Sequence, residues 1–220
     1  LYYPNVIKVY RLTSKGIDKD SNAYDIDFNR KWSLNAAGEG DQDYVNTGEI
    51  KASVSGRRVA LTTGLRGRIL LYDFDPSSGV LSNRMQVADS AYFYQGGREI
   101  VVTVKDSIIP YGIEFSLDEK KLYVTRATCI GLEHYLLDPS HYEPFNQRTQ
   151  GELLQYDLSL TNEDAIRASK QVVVPLSTNN RLMGLQLGPD GRIYVAQRGH
   201  QFVSRINNPN AAGSACGFER

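Results

Sequence analysis

The sequence predicts an all-β protein, a β-propeller of four-stranded antiparallel blades. Three observations carry that prediction. A strand–turn–strand segment occurs three times along the chain. A second strand motif opens the chain and then recurs after each of those segments. The composition agrees: 220 residues hold 14 Tyr and 19 Gly against only two Met, which favours strands and tight turns over helices.

The copies of the first segment are Ile50-Lys51-Ala52-Ser53-Val54-Ser55-Gly56-Arg57-Arg58-Val59-Ala60-Leu61, Ile113-Glu114-Phe115-Ser116-Leu117-Asp118-Glu119-Lys120-Lys121-Leu122-Tyr123-Val124 and Leu185-Gln186-Leu187-Gly188-Pro189-Asp190-Gly191-Arg192-Ile193-Tyr194-Val195. Each reads as two strands, A and B, joined by a hairpin at Ser55-Gly56, Asp118-Glu119 or Asp190-Gly191. The second motif, strand C, is Val6-Ile7-Lys8-Val9-Tyr10-Arg11-Leu12, then Ile69-Leu70-Leu71-Tyr72-Asp73-Phe74, then Leu153-Leu154-Gln155-Tyr156-Asp157-Leu158. Val203-Ser204-Arg205-Ile206-Asn207-Asn208-Pro209 is a degenerate fourth copy. Turns such as Ser14-Lys15-Gly16 and Pro76-Ser77-Ser78-Gly79 follow. Strand D then falls at Met85-Gln86-Val87 and at Gln171-Val172-Val173-Val174.

The order is therefore C-D, A-B-C-D, A-B-C-D, A-B-C. Four strands repeated in series are a propeller signature. The expected blade fragments are 1–47, 48–110, 111–182 and 183–220, all in one domain. This makes a partial ring of about three to four blades, fewer than most closed propellers have, so the chain is expected to pair with the remainder of its own propeller. Two insertions, 90–110 and 127–150, lengthen the repeat. The first is expected to carry strands at Ala91-Tyr92-Phe93-Tyr94 and Ile100-Val101-Val102-Thr103-Val104. A short helix is expected over 163–169, capped by Thr161.

Charge excludes some functions. Lys and Arg total 25 and Asp and Glu total 25, so nothing drives binding to nucleic acid or an anionic membrane. No apolar run reaches the roughly 20 residues of a membrane-spanning helix. The start, Leu1-Tyr2-Tyr3-Pro4, lacks the basic and apolar regions of a signal peptide. Cys129 and Cys216 allow at most one intrachain disulfide and form no C-x-x-C pair.

No H-E-x-x-H, G-x-S-x-G, Walker A or complete G-x-G-x-x-G occurs, so no catalytic residue is expected and the chain reads as a non-enzyme. No metal or cofactor is expected either. A weak calcium site is the exception considered: Asp18-Lys19-Asp20-Ser21-Asn22 matches the first ligand positions of an EF-hand loop, with Asp25 and Asp27 beyond it. Ala23 and Asn29 replace the Gly and Glu such a loop needs. The B–C loops of a propeller share one rim. They place Arg66, Arg126, Arg198 and His200 there, with His134, Tyr135, His141 and Tyr142 in the long insertion. Arginines fork onto carboxylates, and aromatic rings stack on sugars or proteins.

Further residues carry a resemblance. Leu185-Gln186-Leu187-Gly188-Pro189-Asp190-Gly191-Arg192-Ile193-Tyr194-Val195-Ala196, Ile206-Asn207-Asn208-Pro209-Asn210 with Ala215-Cys216, Tyr111-Gly112-Ile113-Glu114-Phe115-Ser116 and Ala165-Ile166-Arg167-Ala168-Ser169-Lys170 resemble the WD-repeat-like propeller of Bacteroidota gliding-motility-associated proteins and type IX secretion cargo. The resemblance runs from about Val6 onward. It implies an extracellular or outer-surface module that binds other surface proteins or glycans, in adhesion or gliding, with more chain on both sides. Asp89-Ser90-Ala91 and Asp106-Ser107-Ile108 resemble Bacteroidota O-glycosylation acceptors, at Ser90 and Ser107. Tyr72-Asp73-Phe74-Asp75-Pro76-Ser77-Ser78-Gly79-Val80-Leu81 resembles strand C of lactonase-type propellers, which implies the alternative of a lactonase-like hydrolase. A structural subunit of a surface assembly is a third reading.

Overall fold

A computed structural model describes residues 6–14, 16–25, 48–63, 68–88, 108–128, 150–177 and 179–220. The strands expected at Ala91–Tyr94 and Ile100–Val104 lie outside these residues. Among the described residues there are three four-stranded antiparallel sheets and one hairpin. The hairpin pairs β1 (Val6–Thr13) with β2 (Gly16–Asp25). The first blade holds β3 (Ile50–Ala52), β4 (Arg58–Thr63), β5 (Arg68–Asp75) and β6 (Val80–Ala88). The second holds β7 (Ile108–Phe115), β8 (Lys121–Thr128), β9 (Gly151–Asp157) and β10 (Gln171–Ser177). The third holds β11 (Leu182–Leu187), β12 (Ile193–Gln197), β13 (Ser204–Ile206) and β14 (Phe218–Glu219). Strands meet in sequence order within every blade, so this is a propeller-type fold.

Register explains why the repeat was visible. Ile50 pairs with Leu61, Ile113 with Val124 and Leu185 with Val195. One residue on, Lys51 pairs with Ala60, Glu114 with Tyr123 and Gln186 with Tyr194. The A–B turn needs a left-handed residue at one place. Gly56 (φ 68°) and Gly191 (φ 77°) provide it, and Glu119 takes it at φ 59°. The second copy accepts that cost of a side chain in the left-handed region. The Glu119 carboxylate accepts from the Ser55 hydroxyl, 2.9 Å away, on the first blade.

The core lies between blades: the second sheet, with a neighbour on each side, buries both faces along β9, whereas β12 of the third leaves alternate residues exposed. Ala60, Ile69, Leu71 and Val87 of the first blade cluster with Ile113, Phe115, Leu122, Val124, Leu154 and Tyr156 of the second. Tyr123, Leu153 and Val174 of the second cluster with Leu182, Leu185, Ile193, Val195 and Ile206 of the third. Val9 of the hairpin packs on Leu70, Tyr72 and Leu81. A repeated hydroxyl ties the blades together. Thr62 Oγ1 donates to the Tyr111 carbonyl at 2.5 Å, and Thr125 Oγ1 donates to the Met183 carbonyl at 2.7 Å. The third blade has Ala196 at that position.

Three expectations need correction. The last blade is four-stranded: after a 3-10 turn at Gly213–Cys216, β14 pairs with β13. Two residues are too few to show a strand period. The 90–110 insertion is shorter than expected, since Ile108–Pro110 belongs to β7. Helix α1 spans Glu163–Ala168, and its cap is Asn162, not Thr161. Asn162 Oδ1 accepts from the Ala165 N–H at 2.8 Å, the side-chain-to-N3 bond that an N-cap makes. Asp18-Lys19-Asp20-Ser21-Asn22 lies inside β2, the strand that follows the opening copy of strand C, with Ser21 opposite Tyr10 and Asn22 opposite Val9.

Candidate functional site at the inner strands

β3, β7 and β11 open their blades and lie side by side at the inner edge. Their side chains interlock. Lys51 Nζ donates to Gln186 Oε1 at 2.8 Å, from the first blade to the third. The second blade is linked to both: Lys51 Nζ lies 3.6 Å from Glu114 Oε2. A lysine can reach a glutamine two blades away only where inner strands converge on an axis.

Backbone donors fix Glu114. Its Oε2 accepts from Leu187 N at 2.9 Å and its Oε1 from Phe115 N at 2.9 Å. The residue is 4% exposed. A buried carboxylate is tolerated when it is paired and hydrogen-bonded, and here both conditions hold. Lys51 has three N–H donors. Among the described residues Gln186 takes one and the Glu114 carboxylate faces a second.

Glu49, just before β3, reaches across the same edge. Its Oε2 accepts from Ile113 N at 3.3 Å. It extends toward Gly184, where a Cβ would stand 2.6 Å from Glu49 Oε1. Gly184 thus leaves the space that the carboxylate fills. None of Glu49, Lys51, Glu114 or Gln186 was singled out from the sequence. The available signal was a polar residue at one register in all three copies of strand A.

The rim residues are placed differently. Arg126 lies in β8 opposite Glu152, and its Nε donates to Glu152 Oε1 at 2.6 Å. The guanidinium is therefore committed to a cross-strand ion pair with a second contact through its terminal nitrogen. Arg198 is exposed beyond β12, and its N–H donates to the Arg181 carbonyl at 2.9 Å. His200 is exposed, with its ring centre 4.9 Å from that of Phe202. Arg66, His134, Tyr135, His141, Tyr142, Ser90, Ser107 and Cys129 lie outside the described residues, as does Asp27. Cys216 is a buried free thiol, and burial pushes its pKa up. Burial also raises the pKa of the neighbouring Tyr123 phenol. Among the described residues, no group of three His, Cys, Asp or Glu side chains is placed to hold a metal ion. No helix among them is long and apolar enough to cross a membrane.

No protein-family model matches the chain, and no curated protein sequence does. Solved structures match by fold. A Bacteroides uniformis protein assigned as a 6-phosphogluconolactonase superposes with a TM-score of 0.50 at 12% identity, over 98% of this chain and 47% of its own. A Lactobacillus plantarum protein gives a TM-score of 0.49 at 12% identity, over 91% and 44%. The periplasmic gluconolactonase of Pseudomonas aeruginosa gives 0.39 at 13% identity, over 78% and 37%. The chain thus spans less than half the length of each. At these identities the likeness establishes a propeller fold, and the gliding and type IX features are not part of it. The non-enzyme reading is corrected here. It rested on absent motifs, yet the Bacteroides uniformis structure with this fold is named for lactone hydrolysis. Propeller chemistry is assembled from separate blades, where a linear motif search finds nothing.

Proposed function

We propose that the chain forms part of a lactonase-like propeller hydrolase whose reaction centre lies at the inner strands. The observation that carries this reading is the convergence of Lys51, Glu114 and Gln186 from three successive blades. In lactone hydrolysis water adds to the ring carbonyl, the acyl C–O bond breaks, and a hydroxy acid forms. Negative charge grows on the carbonyl oxygen in the transition state. A cation held in advance near that oxygen lowers the barrier. Lys51 is such a cation, and Glu114 and Gln186 hold it. The named activity of the Bacteroides uniformis structure supports the same reaction class.

The remaining blades are part of the proposal, because a closed ring completes the channel. An extracellular setting is supported by the motif set around 185–196 and 206–210. The test is hydrolysis of a sugar δ-lactone by the complete protein, followed as acid release. Turnover well above the spontaneous rate supports the proposal. A rate equal to the spontaneous one overturns it.

A further inference from the structure

We infer that Glu49, seated against Gly184, is a charge filter that selects uncharged lactones over phosphorylated ones. The inference rests on the hydrolase reading above and adds a substrate class to it. It begins with a count. Glu49 and Glu114 bring two negative charges to the inner strands and Lys51 brings one positive charge, so the cluster is negative by one. The Glu114 charge is met by Lys51, and the Glu49 charge is not. Among the described residues its carboxylate takes the Ile113 N–H and no cation.

Glu49 is also placed to be felt by a ligand. It stands two residues before Lys51, so both leave the same side of the strand, roughly 7 Å apart. That separation is inside the screening length of about 8 Å at physiological salt. Glu49 is only half-buried, so its charge is not shut away from a substrate held at Lys51. Gly184 makes the placement possible, because any larger residue would put its Cβ 2.6 Å from Glu49 Oε1. A dianionic phosphate brought to this edge meets an uncompensated like charge. Specificity built from such repulsion acts on binding rather than on the bond-breaking step.

The experiment uses the complete protein and two substrates, a neutral six-membered sugar lactone and the same lactone with a phosphate on its exocyclic oxygen. The wild type should prefer the neutral lactone by about tenfold or more in kcat/KM, mainly through KM. Raising the salt to about 0.5 M should shrink that preference. Glu49→Gln can keep the bond from Ile113 N–H and removes the charge. It should shrink the preference several-fold, chiefly by lowering KM for the phosphorylated lactone. Gly184→Ala, which displaces the carboxylate, should act in the same direction. If Glu49→Gln does not fold, the wild-type salt dependence decides. Preference for the phosphorylated lactone, or a ratio insensitive to Glu49→Gln and to salt, overturns the filter and leaves the hydrolase standing. If neither lactone is turned over, the hydrolase reading falls and the filter with it.

Discussion

The two junctions between blades share a register and a threonine clamp but are filled in different ways. Between the first and second blades the buried side-chain cluster is apolar, with Ala60 and Leu71 beside Phe115 and Leu122, and the polar ties, such as Ser55 to Glu119 and Arg58 to the Leu158 carbonyl, lie outside that cluster. Between the second and third, the position of Ala60 is taken by Tyr123 and that of Leu71 by Gln155. There the Tyr123 hydroxyl donates to the Pro209 carbonyl at 2.9 Å and accepts from Gln155 Nε2 at 2.6 Å. Gln155 also donates to the Ala211 carbonyl at 2.8 Å and accepts from Gly213 N at 2.8 Å. The first junction is held by shape and burial. The second is held by a closed polar network that pins the loop before β14. An apolar contact tolerates exchange at constant volume, whereas a buried network fails when one partner is removed.

That difference can be broken or sharpened by mutation. The largest effect is expected for Phe115→Ala at the apolar junction, a loss of about 3–5 kcal/mol in urea unfolding. Phe115→Leu should cost far less, since burial is what matters there. Gly112→Ala comes next, at about 1–3 kcal/mol. Its Cβ would meet the Met183 carbonyl oxygen at 2.3 Å and Thr125 Oγ1 at 2.8 Å, with backbone on one side and the clamp on the other. Tyr123→Phe changes no volume of note, yet should cost about 1–2 kcal/mol by leaving the Pro209 carbonyl unpaired. Hydrogen exchange should rise most in residues 207–217. A Tyr123→Phe protein as stable as the wild type would remove the distinction between the junctions.

Acid should act at the outer turns rather than at either junction. The Asp75 carboxylate accepts from Ser77 N, Ser77 Oγ and Ser78 Oγ. The serine hydroxyls hold its pKa at about 2. Asp157, held by Ser159, and Glu219, held by Asn207 and Arg205, are also lowered. Carboxylates lowered by folding contribute stability above their unfolded pKa near 4, and that contribution fades as pH falls through the folded value. The loss should therefore fall between about pH 4 and pH 2. It should be small, because these groups are exposed. Ser77→Ala with Ser78→Ala should raise the Asp75 titration midpoint in carboxyl NMR.

Much of the fold was legible because the repeat writes itself twice, in the strand period and in the turns. Gly56, Gly79 and Gly191 all sit at positive φ, where those turns need them. The turn at Asp118-Glu119 was legible from the other two copies, although Glu119 is a residue that rarely adopts this conformation. β14 was hidden by length, and Asp18–Asn22 by a ligand-like spelling on a strand. The inner-strand cluster was quoted three times in the repeat itself, as Lys51, Glu114 and Gln186. A polar residue in a strand reads locally as ordinary alternation. Only the packing of one blade on the next shows that these three meet. Arg126 misled in the opposite way, since its Glu152 partner lies 26 residues away on the next strand.

The most direct test is the turnover of Lys51→Met against wild type on a neutral sugar lactone, with Lys51→Arg as control. The account predicts a fall in kcat of about 10²–10³-fold, little change in KM, a lowered melting temperature because the buried Glu114 loses its cation, and partial rescue of both by Lys51→Arg. A Lys51→Met protein that folds and keeps its full kcat would contradict it.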